Sequence, residues 1–252
     1  NPLPGQPERY HFNNVRIQPF YIQRDRRNPL LEVTFDGTHL MNGDIVSPKP
    51  EIVVLLKDEN RYLALTDTAL FQLILEKPDG SRKIISFRDP ALLFFPADTT
   101  QLNKKNSARI EWRPVFTQDG EYRLFVNGKD ASGNKSGLEY AIRFQVITKS
   151  SISNLLNYPN PFSTQTCFVY TMTGAETPAQ FRIQIMTVSG RVVREITEQE
   201  FGPLRAGTHR SNFCWDGRDA YGDPLANGVY LYRIVAKKAD GSSFEFFENA
   251  AI

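Results

Sequence analysis

The sequence predicts an all-β chain folded as two tandem β-sandwiches. Short runs rich in β-branched and aromatic residues recur along its 252 residues, with glycine-containing turn signals between them. No stretch repeats apolar residues at helical spacing for long enough to make a helix of several turns. The 40% hydrophobic content is sufficient for a buried core.

In the first half, residues 31–35, 52–56, 71–76, 83–87, 109–113, 122–126 and 140–147 read as strands. Seven short strands at this spacing predict a sandwich. Asp36-Gly37, Pro78-Asp79-Gly80, Asp119-Gly120 and Ala131-Ser132-Gly133-Asn134 read as its turns. Asp79-Gly80 suits a tight hairpin, because such turns require positive φ. Only 66–71 and 90–93 have the composition of helical turns. Tyr122, two residues after Gly120, has the placement of a tyrosine corner, in which the phenol bonds back to the chain at the crossover between sheets. That feature predicts an immunoglobulin-like sandwich.

A polar joint over 149–154 separates this half from a second, smaller sandwich. Phe168, Tyr170 and Met172 alternate with Cys167, Val169 and Thr171; Phe181, Ile183 and Ile185 alternate with Arg182, Gln184 and Met186. Ser189-Gly190 predicts a two-residue hairpin, and strands follow around 211–215, 229–236 and 243–247, with Asn227-Gly228 and Asp240-Gly241 as turns. The expected organisation is an extended linker over 1–28, a first sandwich over 29–149 and a second over 154–252.

Charge excludes some partners. Lys and Arg number 30 against 28 Asp and Glu, and the balance is 21 to 18 before Ser153 and 9 to 10 after it. Nucleic-acid binding would require a basic excess that neither half has. No apolar run reaches the ~20 residues of a membrane span. The chain begins at Asn1, with three prolines in its first seven residues, and its last residues stop within an apolar stretch. This reads as a segment of a longer polypeptide, whose upstream domains would be its partners.

A set of motifs orders the second half: Asn157-Tyr158-Pro159-Asn160-Pro161-Phe162, then Val188-Ser189-Gly190, then Trp215-Asp216-Gly217 and Asn227-Gly228-Val229-Tyr230. Over about residues 154–238 this order resembles the immunoglobulin-like domain of flagellar hook-capping proteins. It is similar, more closely, to the C-terminal sorting domains of Bacteroidetes proteins exported by the type IX secretion system. Residues 33–50, 56–65 and 94–98 resemble the region that follows the protease domain in gingipain-family cysteine peptidases, including the type IX sortases. The resemblance implies an exported chain at the outer-membrane surface or outside the cell, working with the secretion machinery. No position matches that family's catalytic Cys and His motifs, so the catalytic role is not carried over. An adhesin or glycan-binding module is the alternative.

The motif residues have structural work available to them. The two prolines and two asparagines of Asn157–Phe162 stiffen the entry to the second sandwich, and Phe162 can plug its end. Trp215 can close the core where the chain turns away at Asp216-Gly217. Gly222, Asn227 and Gly228 are expected to supply backbone shapes that bulky residues resist.

No cofactor or metal is expected. The histidines are His11, His39 and His209, and none has a zinc-ligand spacing. His209 and Cys214 stand five apart in one predicted strand and so face opposite ways, which disfavours a nucleophilic dyad. Cys167 and Cys214 each precede a core aromatic, which places both on the outward face. They make a disulfide if their strands adjoin, and otherwise remain two separate thiols; export would let a disulfide persist. Asp130 with Asn134 is an incomplete calcium set that reads as a turn stabilised by side-chain-to-backbone bonds, and Asp216, Asp219 and Asp223 could assemble a weak calcium loop but read rather as a solvated hairpin end. Arg24, Arg26 and Arg27 read as a solvated linker.

Overall fold

The computed structural model describes residues 17–21, 25–239 and 241. The fold is all-β, two tandem immunoglobulin-like sandwiches with separate hydrophobic cores. The first contains β1 (Leu30–Phe35), β2 (Asp44–Val46), β3 (Ile52–Asp58), β4 (Phe71–Glu76), β5 (Arg82–Ile84), β6 (Leu92–Phe95), β7 (Asn106–Trp112), β8 (Gly120–Gly128) and β9 (Tyr140–Val146). One sheet runs β1-β3-β7-β6 and the other β2-β9-β8-β4-β5. β2 joins β9 in parallel, whereas β1 with β3 and β8 with β9 are antiparallel.

Strict alternation on β3 buries Ile52, Val54 and Leu56 in the same core as Ile142, Phe144 and Val146 of β9. Each such side chain contributes about 1.5–3 kcal/mol when fully buried. Tyr122 stacks on Phe144 at 5.8 Å between centroids, and its hydroxyl donates to the Gln118 carbonyl at 2.9 Å. Burial pushes the phenol above its usual pKa. The corner anticipated from Asp119-Gly120 is therefore formed. Tyr122→Phe is expected to cost about 0.5–1.5 kcal/mol, read as a lower urea midpoint with an unchanged m-value.

Three local expectations are corrected. Residues 90–93 do not form a helical turn: the chain turns at Asp89, whose carboxylate accepts from the Ala91 N–H at 3.0 Å, and then enters edge strand β6 against β7. The four apolar residues of β6 gain more from that ladder than from an isolated turn. The strand expected over 83–87 ends at Ile84. The polar joint over 149–154 is mostly strand, because β10 (Ser151–Tyr158) starts inside it. Asn154 at φ 50 and a register shift between Ser153 and Leu156 interrupt its alternation. Near the predicted turn at 66–71, a short 3-10 segment, Thr68–Leu70, is capped by Asp67 and leads into β4.

The second sandwich continues with β11 (Thr166–Thr173), β12 (Gln180–Thr187), β13 (Val192–Thr197), a single helical turn α1 (Glu198–Phe201), β14 (Gly207–Trp215) and β15 (Tyr230–Lys237). Its sheets are β10-β11-β14 and β13-β12-β15. α1 was not anticipated. The Glu200 carboxylate accepts from the Thr197 N–H at 3.1 Å, the reciprocal arrangement of a capping box, and the turn drives Phe201 into the core against Phe181. The β12–β13 connection uses four residues, Val188 to Arg191, rather than two. Gly190 donates to Thr187 and takes φ 83, the positive value that closes the turn. The strand expected over 243–247 lies outside the described residues, as do His11, Arg24 and the proline-rich start.

The sandwiches meet at a tight joint. Gly174 donates to the Ile147 carbonyl at 3.0 Å, and the Thr173 hydroxyl donates to the Lys149 carbonyl at 2.7 Å. Gly174 has φ 79, and an added Cβ would collide with the Ser150 backbone. Gly174→Ala is therefore expected to cost about 1–3 kcal/mol, measured as a lower Tm.

Candidate functional site at the far end of the second sandwich

The register places the motif residues at one end. Tyr158 pairs with Cys167 and Thr166 with Trp215 in one sheet, and Thr187 pairs with Tyr230 in the other. The opposite strand ends, Ser151 with Thr173 and Met172 with Gly207, face the joint. Motifs separated by tens of residues thus converge away from the first sandwich.

Trp215 is the centre of this end and is 1% exposed. Its ring lies 5.7 Å from Phe162 and 5.9 Å from Tyr230, and its Nε1 donates to the Arg218 carbonyl at 2.8 Å. Phe162 also lies under Gly217, which has φ 79. Two X-Pro bonds, Tyr158-Pro159 and Asn160-Pro161, are cis. The loop they shape is stitched inward: Thr166 donates its hydroxyl proton to the Pro159 carbonyl at 2.7 Å, and Asn157 donates to the Thr166 hydroxyl at 3.2 Å. Tyr230 donates to the Ala226 carbonyl at 2.8 Å, four residues back, the same local bond that Tyr122 makes. Sequence reasoning missed this second corner, although a tyrosine at a strand start after Asn227-Gly228 was its signal. Gly222 takes a positive φ of 89. Gly228 does not, and a Cβ there would meet nothing, so no backbone constraint requires glycine at 228.

Cys167 and Cys214 face each other across β11 and β14 and are joined as a disulfide. Cys167 is not outward in the sense of being solvated: it is buried, with Arg210 Nη2 2.7 Å from its sulfur. On the same face of β11 Thr171 and Thr173 are also buried and Val169 half-buried, and Thr171 shares a 2.9 Å hydroxyl contact with Thr208. Both described imidazoles serve the backbone. His209 donates from Nε2 to the Ala206 carbonyl at 2.8 Å, and His39 donates from Nδ1 to that of Val33 at 3.0 Å.

The acidic turn is self-bonded. Asp219 accepts from the N–H groups of Tyr221 and Asp223, and Asp216 from that of Arg218. Asp130 accepts from Asn134 through both backbone and side chain, each at 2.7 Å. A cleft on the first sandwich, about 920 Å³, is lined by Phe71, Phe87, Gln72, Asn127 and Glu139 among others. Phe71 is buried and Phe87 half-buried, whereas the exposed rings Phe20, Tyr21, Tyr62, Tyr158 and Tyr221 are not among its lining residues. The cleft thus lacks a fully exposed aromatic face on which a sugar would stack.

No family model matches the chain, and no curated protein matches it. Several solved structures share a weak likeness. Dimeric latent PorU from Porphyromonas gingivalis is 17% identical with a TM-score of 0.37, over 94% of this chain and 21% of that one. A tetra-tandem repeat from the extending region of a large adhesion protein is 13% identical with a TM-score of 0.29, over 89% and 49% respectively. The major pilin subunit BcpA of Bacillus cereus is 9% identical with a TM-score of 0.26, over 89% and 66%. The chain thus spans about a fifth of the PorU chain. Among the described residues, no helix is long and apolar enough to cross a membrane.

Proposed function

We propose that the chain is a non-catalytic scaffold and sorting segment of a surface protein exported by the type IX system, with a gingipain-family cysteine peptidase as its parent. The first sandwich, over 29–149, positions what precedes it in the parent. The second, from about residue 150 onward, presents its far end to the outer-membrane machinery. The observation that carries this reading is the convergence of Asn157–Phe162, Trp215–Gly217 and Tyr230 on one end, opposite the joint. Those are the residues on which the resemblance to sorting domains rests. They are committed to core closure and tight turns, which build a shaped end instead of a reaction centre.

Recognition would use the apolar side chains exposed around that end. Tyr158, Val188, Tyr221 and Val229 are each more than half exposed, and all but Tyr221 lie within the motifs themselves. A protein partner gains most from such aromatic and aliphatic anchors at the centre of an interface. The test is to attach the whole chain to a periplasm-directed reporter in a type IX-competent cell and in one lacking the system. Surface display in the competent cell only is expected, with a severalfold loss when Tyr158, Val188, Tyr221 and Val229 are all alanine. Equal display in both cells contradicts the reading.

A further inference from the structure

Three aspartates far apart in sequence meet at one end of the first sandwich. Asp25 precedes β1, Asp58 is the last residue of β3, and Asp130 follows β8. One carboxylate oxygen from each lies within 4.8 Å of the other two. Asp58 is 8% exposed and Asp130 2%. Both Asp58 oxygens are buried with no hydrogen-bond partner among the described residues. No ion pair joins a base to any of the three among the described residues: Lys57 pairs with Glu32 at 3.0 Å and Arg27 with Glu59 at 3.3 Å, although the Arg27 N–H donates to Asp25 Oδ1 at 3.0 Å and its charge helps hold the Asp25 carboxyl below the usual range.

A buried carboxylate left without a partner is costly, and two more carboxylates beside it raise that cost. The surroundings nevertheless hold the other two in place. Asn60 donates to Asp25 Oδ2 at 2.7 Å, and Asn134 donates to Asp130 Oδ2 at 2.7 Å and to the Asp25 carbonyl at 3.4 Å. Two acids held by hydrogen bonds and a third buried beside them without a partner gather carboxylate oxygens with no base paired to Asp58.

We infer that Asp25, Asp58 and Asp130 bind a calcium ion that clamps the entering chain to the first sandwich. Calcium takes six to eight oxygens at about 2.3–2.6 Å in irregular geometry, so ligand oxygens on opposite sides stand about 4.6–5.2 Å apart. The observed spread fits within that sphere. Magnesium demands near-octahedral oxygens at about 2.0–2.1 Å, a tighter set. Water and backbone carbonyls would complete the shell. Burial pushes the Asp58 carboxyl above the usual carboxylate range, and the negative charges of Asp130, Asp25 and Glu59 add to this; only the approach of the Asn60 N–H opposes it. A bound cation would reverse that balance. The consequence is mechanical: residue 25 precedes β1, residue 58 ends β3 in one sheet and residue 130 follows β8 in the other, so one ion would fix the segment before β1 to both sheets.

The test is calorimetric titration of calcium chloride into the whole chain, freed of metal by chelation, with thermal melts alongside. One calcium per chain is expected, with Kd of about 10⁻⁴ M or tighter. At about 5 mM calcium, Tm should rise by about 3–8 °C. Asp25→Asn, on the segment outside the strands, and Asp58→Asn should each lose both responses while remaining folded by circular dichroism. No saturable heat up to about 5 mM calcium would overturn the inference. So would an undiminished calcium response in Asp25→Asn, or magnesium binding as tightly as calcium.

Discussion

Trp215→Ala is expected to lower the stability of the second sandwich by about 3–5 kcal/mol. The ring is among the largest fully buried side chains, and it holds Phe162 and Tyr230 against the core from either side. Its removal leaves a ring-sized cavity and frees the Arg218 carbonyl from Nε1. Against a typical domain stability of about 5–15 kcal/mol, such a loss is a large share. Trp215→Phe keeps most of the apolar contact and loses the hydrogen bond, so about 1 kcal/mol beyond the packing difference is expected. The measurement is urea unfolding followed by circular dichroism and fluorescence. The chain has two tryptophans, and the other, Trp112, is buried in the first core. In Trp215→Ala the fluorescence transition reports the first sandwich alone, and its midpoint should hardly move.

Removing the Cys167–Cys214 bond is expected to cost about 2–4 kcal/mol. The bond closes a loop with a sequence separation of 47, and the chain-entropy estimate for such a loop is about 4 kcal/mol. The double variant Cys167→Ala with Cys214→Ala avoids leaving a thiol to react. Its loss should fall on the second sandwich, with the Trp112 transition unchanged. Trp215 adjoins Cys214 and pairs with Thr166 beside Cys167. The triple variant should therefore depart from the sum of the separate losses by more than about 0.5 kcal/mol, as neighbours in contact do.

Features written in adjacent residues were legible in the sequence. The tyrosine corner at Tyr122, the alternation of Phe181, Ile183 and Ile185, and the glycine turns needed only local chemistry to read. β10 was obscured because its polar residues, with Asn154 in a left-handed conformation, resemble a linker. α1 was obscured because one helical turn leaves no periodicity, although Thr197 and Glu200 carry its capping signature. The pairing of Cys167 with Cys214 depended on β11 adjoining β14, which no short segment states. The same holds for the gathering of the motifs at one end. Asp130 drew attention as a turn residue, but its proximity to Asp25 and Asp58 is a product of three-dimensional topology and has no sequence spacing to betray it.

The central claim is that the second sandwich carries recognition and the first only positions what precedes it in the parent. The most direct measurement is surface display of a reporter fused to residues 1–149 or to residues 150–252, with the cut placed before β10 so that no strand is broken. In type IX-competent cells the second fusion should become accessible to added protease, while the first stays protected in the periplasm. Display of the first fusion, or retention of the second, would contradict the account.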